Sequence, residues 1–230
     1  MGDDLLFRIP ALLIALTVHE YSHGRVAYYL GDGTAKMHGR LTLNPVSHLD
    51  PIGLIMLWFV GFGWAKPVPV NPVNFRRDMP MKQGLLYVAL AGPLSNLVMA
   101  FVFIGFTDFF IRFFMNITPT TFMMIINPQS PLNPPVIQES VGLFVLSWII
   151  ILNVYLAIFN LLPIPPLDGS KILRGLLPRE HENIIDFFNQ YGFIILILLL
   201  FTGVIGNVLV PLANRIMELM YLPFNLFNFL

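Results

Sequence analysis

The chain of 230 residues has no cysteine and very little charge. Without cysteine, disulfides, thiolate nucleophiles and sulfur-ligated metal sites are excluded, and no redox compartment can be read. Charged residues make up only 11% of the chain, against about 25% in soluble domains, so a water-soluble globular enzyme is excluded as well. The formal net charge is zero, which gives no reason to expect nucleic acid or a polybasic lipid anchor. The opening stretch MGDDLLFRIP is acidic and lacks a small-residue cleavage site, which argues against a removed signal peptide. No linker, repeat or low-complexity tract divides the chain, so residues 1–230 read as a single integral membrane domain. What is present is apolar, with 56% hydrophobic residues and a mean hydropathy of +0.73.

Four segments are long enough to cross a hydrocarbon layer of about 30 Å, which takes about 20 helical residues. They are Ile9–Leu30, Gly84–Phe106, Val141–Leu162 and Tyr191–Leu212. A fifth apolar stretch, Ile52–Trp64, spans about 20 Å as a helix and is too short to cross comfortably. Lys36 and Arg40 precede it, and Lys66, Arg76, Arg77 and Lys82 follow it. A crossing would put these basic loops on opposite faces, against the positive-inside tendency, whereas a dip and return leaves both cytoplasmic. The fold expected is therefore an all-α polytopic membrane protein with about four to six transmembrane helices. It carries a short re-entrant or extended β-like region between the first two full spans, and both termini lie outside. Thr107–Ser140, with Arg112 as its one basic residue, falls outside the cell, and Pro163–Gln190 falls inside. The tail Pro211–Leu230 reads as interfacial or as a tilted fifth span.

The loops GRLTLNPVSHLDPIG and GWAKPVPVNPVNF are rich in proline, asparagine and β-branched residues and read as extended. Irregular backbone at membrane depth needs protein or a water-filled cavity to satisfy it, so these stretches are expected to roof or line a cavity.

The densest polar chemistry lies inside the first span. His19-Glu20-Tyr21-Ser22-His23 has the pattern H-E-x-x-H, in which two imidazoles one helical turn apart can reach one metal ion. Glu20, about 100° further round the helix, is placed to take a proton from the attacking water. Zinc fits best, because catalytic zinc sites use histidine and carboxylate ligands and keep one position for water. Ionisable groups inside a membrane helix are expensive and functional by default. With the helix ending at Leu30, His23 lies about 10 Å and His19 about 16 Å beneath the cytoplasmic surface.

Two histidines leave a vacant ligand position. His38, His48 and His181 are the remaining imidazoles, and Asp50 and Asp168 are the notable loop carboxylates. HENIIDFF at His181 places Ile185 at its i+4 position and reads as a solvated loop. His48 and Asp50 flank Pro51 and suit either a site role or a plain turn. Asp168 follows Pro163, Pro165 and Pro166, which must break the third span. It reads either as the cap of the next helix or as a ligand. The ligand role requires the proline turn to sit below the surface, with Asp168–Leu177 climbing back out.

Three motifs, taken in order, resemble a known family. H-E-x-x-H in the first span, AGPLSN (Ala91–Asn96) in the second and NLLPIPPLDG (Asn160–Gly169) after the third resemble the site-2 protease family of intramembrane zinc metalloproteases. GRLTLNPVSHLDPIG and GFGWAKPVPVNP look like its compact prokaryotic branch, which has no PDZ insertion. The resemblance runs from about Ile9 to Leu177. It implies one zinc ion held by His19, His23 and Asp168, and Glu20 as catalytic base. Asn160 would position substrate or stabilise the transition state, and Asn96 would serve in a similar role or in packing. It implies membrane-spanning protein substrates and a multi-pass protein of the cell membrane, with its active site in the bilayer towards the cytoplasmic side. A metal transporter using the same His pair is the rival reading, but transporters show related halves and polar groups on several helices, and the chain has no repeat. A catalytically dead relative is disfavoured by the intact Glu20. No pattern specifies an oligomer.

Overall fold

The computed structural model describes residues 2–60, 63–115, 141–178 and 182–226. Its helices are α1 (Gly2–Tyr29), α2 (Thr34–Met37), α3 (Pro51–Val60), α4 (Met81–Phe110), α5 (Val141–Leu161), α6 (Asp168–Leu176), α7 (Glu182–Phe201) and α8 (Val204–Leu226). Short 3-10 turns form at Pro45–His48 and Pro72–Asn74, and a π turn, Ile111–Met115, prolongs α4. Among the described residues there is no strand, and one isolated bridge pairs Leu49 with Ala65.

Among the described residues two helices, Met81–Phe114 and Val141–Leu161, are long and apolar enough to cross a membrane. A third crossing arises if Gln190–Phe201 and Val204–Asn225, bent by 77°, count as one. α1 is continuous through the expected first span but gives its second half to the polar run Thr17–Arg25. The expected fourth span, Tyr191–Leu212, is a broken helix rather than a straight one. Gly203 takes a positive φ of 73°, a conformation glycine adopts without steric penalty, and an unbroken apolar run hides this break from a hydropathy reading. The second span also outruns its expected end at Phe106. Arg112, assigned to a loop, instead closes an i,i+4 ion pair with Asp108 at 2.8 Å on the helix itself. The rest of the expected outer loop, 116–140, together with Arg179, His181 and the last four residues of the tail, lies outside the described residues.

The chain clusters into two compact units. One comprises Met1–Ala15, Asn96–Phe159 and Leu199–Leu230. Its helices approach closely at small residues, with Ala11, Ala15, Ala100 and Ala213 fully buried, as expected where lipid supplies no hydrophobic drive between helices. Asn96, fully buried, donates through Nδ2 to the Ala15 carbonyl at 3.0 Å and to Asn153 Oδ1 at 2.7 Å. Asn153 in turn donates to the Ile149 carbonyl at 2.8 Å. This amide chain ties α1, α4 and α5 together, and such interhelical bonds are worth about 0.6–2 kcal/mol each in membranes. Near the end of α4 the Tyr221 hydroxyl of α8 donates to Asp108 at 2.9 Å, beside the Asp108–Arg112 pair.

The second unit comprises Leu16–Ser95 and Asn160–Leu198. Ala27, Leu30, Phe75 and Val88 form its buried apolar cluster, flanked by Val26, Val70, Met79 and Leu85. Asp32 organises the loop after α1. Its buried carboxylate accepts from Thr34 N–H at 3.0 Å, from the Thr34 hydroxyl, from Asn71 N–H at 2.7 Å and from Asn74 Nδ2 at 3.1 Å. Burial alone pushes its carboxyl up, but these hydrogen bonds outweigh it and hold the pKa below the usual value.

The short apolar stretch returns to where it began. Leu49 bridges Ala65, Lys66 N–H donates to the His48 carbonyl at 2.9 Å, and a side chain at Gly53 would collide with the Trp64 carbonyl. Both basic flanks therefore leave α3 from the same end. Beyond it Trp64–Asn71 forms no helix, and among the described residues it pairs only through that one bridge.

Candidate metal centre

His19 and His23 stand one turn apart on α1, with ring centroids 4.6 Å apart and planes at 86°. The third partner arrives from a residue 149 positions further along. After α5 the prolines at 163, 165 and 166 stop the helix, and two tight bonds shape the turn. Ile164 N–H donates to the Leu162 carbonyl at 2.8 Å and Leu167 N–H to the Ile164 carbonyl at 3.0 Å. α6 then starts pressed against the end of α5. A side chain on Gly169 would strike the Leu161 and Leu162 carbonyls, so only glycine allows this approach. Gly192 of α7 makes a similar approach, its absent Cβ lying 2.7 Å from the Pro165 ring.

Asp168, first residue of α6, does not cap that helix. No side-chain cap bond forms at its start, and the carboxylate turns elsewhere. Its Oδ2 lies 3.1 Å from His19 Nε2 and 3.0 Å from His23 Nε2, and its Oδ1 accepts from Lys171 Nζ at 3.0 Å. All three residues are less than a tenth exposed.

The surroundings fix the donor atoms. The Val88 carbonyl lies 2.6 Å from His23 Nδ1. A carbonyl can only accept, so Nδ1 carries the proton and, in the neutral ring, Nε2 is left to coordinate. Lys171 occupies the second carboxylate oxygen and leaves Oδ2 facing the imidazoles. Gly92 of α4, beside Pro93, provides the space, since a Cβ there would sit 2.5 Å from His23 Nε2 and 2.6 Å from His19 Nε2. The motif AGPLSN announces itself as a glycine–proline pair inside an apolar helix, yet the need for Gly92 at the imidazoles was not legible in it.

The donor set suits a metal ion. One ligand atom from each residue lies within 4.8 Å of the others. Bonds of about 2.0–2.2 Å to a tetrahedral zinc place neighbouring donors about 3.3–3.6 Å apart, a few tenths from the 3.0 and 3.1 Å found here. Two imidazoles and one carboxylate also form a zinc-type set with room for a fourth ligand.

The other candidates fall elsewhere. Glu20, next to His19, accepts from Val68 N–H at 2.9 Å through Oε2. Asn160 is half-buried in the last turn of α5. His38 is exposed, and His48 is buried with Nε2 2.8 Å from the Thr42 carbonyl. Asp50 caps α3, accepting from the N–H groups of Ile52 and Gly53 at 2.9 Å. Neither His48 nor Asp50 joins the cluster.

An H-E-x-x-H helix joined by a distant carboxylate, in a helical chain of membrane-spanning apolarity, has the donor pattern of a metalloprotease centre. Comparison with known proteins agrees. The model of peptidase family M50 matches residues 7–201. The chain is 40% identical over 210 residues to "Putative zinc metalloprotease YwhC" of Bacillus subtilis, covering 90% of this chain and 86% of that protein. It is 30% identical over 221 residues to "Putative zinc metalloprotease Rip2" of Mycolicibacterium smegmatis, covering 93% and 71%. No solved structure matches it. The chain belongs to peptidase family M50, the site-2 protease family, and is a metalloprotease.

Proposed function

We propose that this protein hydrolyses peptide bonds within or next to the transmembrane segments of membrane proteins, with one zinc ion held by His19, His23 and Asp168 and Glu20 as general base. The observation that carries the reading is the convergence of three buried donors on one point in a chain built of apolar helices. Zinc, when bound there, polarises the scissile carbonyl and acidifies water. His23 is oriented by Val88 and Asp168 by Lys171, so the two residues present single donor atoms. Glu20, with Oε2 occupied by Val68 N–H, takes the proton of the attacking water on its other oxygen and later delivers it to the leaving amine. Asn160 donates to the developing oxyanion. A substrate helix must unwind locally to present its scissile peptide bond beside Glu20.

The residues form one catalytic domain in the cell membrane, with the centre towards the cytoplasmic side. The pairing of the two flanks of α3, Leu49 with Ala65 and His48 with Lys66, supports placing Gly31–Asp50 and Ala65–Gln83 on that side together. Single cysteines at Lys36, Arg76 and Asn127, introduced into a chain without native thiols, test this. The first two should label from the cytoplasm and the third from outside, and labelling of Lys36 and Arg76 from opposite faces refutes it.

Glu20→Gln tests the mechanism. It keeps shape and removes the proton acceptor, and general-base catalysis contributes about 10²–10⁴-fold, roughly 3–5 kcal/mol of barrier. The variant, reconstituted in phospholipid vesicles with a fluorogenic membrane-spanning peptide, should bind zinc near stoichiometrically and fail to cut. Cleavage at the parental rate sinks the mechanism, and zinc flux into vesicles without any cleavage by the parent favours transport.

A further inference from the structure

Arg40 is only 7% exposed, yet among the described residues no carboxylate pairs with it. Its terminal nitrogen donates to the Lys66 carbonyl and, at 3.4 Å, to the Pro67 carbonyl, while its Nε has no partner. A buried guanidinium without a counter-ion is costly, so its position calls for a role beyond packing.

The carbonyls it holds belong to a segment with an unusual donor pattern. In Lys66-Pro67-Val68-Pro69-Val70 the prolines have no N–H. Val68 thus supplies the single donor between Pro67 and Pro69, and that donor meets Glu20 Oε2 at 2.9 Å. The Pro67 carbonyl and the Val68 N–H are two ends of one planar peptide group. The peptide is trans, since the one cis bond among the described residues is Pro165–Pro166. Its C=O and N–H therefore point in opposite directions, so drawing the carbonyl towards Arg40 aims the N–H at Glu20. A cation on the carbonyl also polarises the group and strengthens its donor end. The flanks are anchored separately, by Lys66 N–H on His48 and by Asn71 N–H on Asp32. Gly24, one turn after Glu20, admits the strap, with Val68 Cγ1 3.2 Å from its absent Cβ. Arg40 thus governs the tilt of the central peptide plane.

We infer that Arg40 is a positioning residue for Glu20, acting through the Pro67–Val68 peptide group to hold one carboxylate oxygen and leave the other to the reacting water. The inference rests on the reading of Glu20 as general base. The test is steady-state cleavage of the fluorogenic membrane-spanning peptide by zinc-loaded enzyme in phospholipid vesicles, with zinc content and melting temperature measured in parallel. R40M should lower kcat about 10–100-fold, the range seen when the partner that orients an active-site ligand is lost, with KM within about twofold and zinc content unchanged. R40K, which keeps the cation but not the planar guanidinium, should fall between parent and R40M. V68P, which keeps Arg40 but removes the N–H, should match R40M. V68P decides the matter if R40M does not purify. If R40M and V68P keep the parental kcat while Glu20→Gln is inactive, Arg40 does not act on Glu20 and the base reading stands. A kcat that falls only in proportion to lost zinc, or a raised KM at parental kcat, equally overturns the inference. Glu20→Gln cleaving at the parental rate overturns the base reading itself.

Discussion

Replacing Gly92 by alanine adds one methyl group to a helix that on local grounds should welcome it. Alanine is favoured over glycine in a helix interior by about 1 kcal/mol. The added Cβ, however, would lie 2.5 Å from His23 Nε2 and 2.6 Å from His19 Nε2 and Cε1. Ordinary contact begins near 3.4 Å, so about 0.8–0.9 Å of movement is needed against both rings at once. His23 is pinned at Nδ1 by the Val88 carbonyl of the same helix, so the ring cannot simply turn away. Zinc–ligand distances tolerate about 0.2 Å, and the displacement is several times that. We expect Gly92→Ala to weaken zinc binding at least 100-fold. Overpacking of about 1–3 kcal/mol is partly offset by the gain in helix propensity, so the fold survives. Titration against a competing chromophoric chelator in detergent measures the affinity, and cleavage of the membrane-spanning peptide measures the consequence. Gly206 in α8 meets nothing within 4 Å, so Gly206→Ala should be silent in both assays and serves as the control. A Gly92→Ala protein that binds one zinc at parental affinity and cuts at the parental rate would refute the assignment of the centre.

Asp168→Ala should lower zinc content and abolish cleavage, while Asp50→Ala, which removes a helix cap worth about 1 kcal/mol, should leave zinc intact. Full zinc occupancy in a normally purifying Asp168→Ala protein counts against the ligand role. Asp32 sets an acid limit on the loop it organises. Its folded pKa is depressed below the ordinary 3.8, so its stabilisation is complete above that pH and is lost as the pH falls below it. Asp32→Asn should melt at lower temperature near neutrality and lose less than the parent on acidification below pH 3.8. Parallel acid limbs in the two proteins would show that Asp32 contributes nothing.

The legible parts of the fold are those written in local pattern. H-E-x-x-H states its own geometry, since i and i+4 share a helix face, and α1 delivers both rings to one point. The third span, with its uninterrupted apolar run, was readable almost to the residue. Proline placement correctly forced the turn before Asp168, but the choice between cap and site partner depended on what faces it in space. The same holds for Gly92 and Gly169, whose importance lies in what a side chain would strike. The bend at Gly203 was hidden because hydropathy averages over backbone conformation. The loop GWAKPVPVNPVNF turns through a 3-10 helix at Pro72–Asn74, and its attachments to Arg40, Asp32 and Glu20 join residues far apart in sequence.

The separation of 149 positions between His19 and Asp168 has a consequence for how the enzyme is made. At translation rates of about 5–20 residues per second, the two histidines emerge roughly 7–30 s before the carboxylate that joins them. During that interval the growing polypeptide carries an incomplete donor set. The donor set is thereby completed by connectivity alone, only once the chain has passed α5.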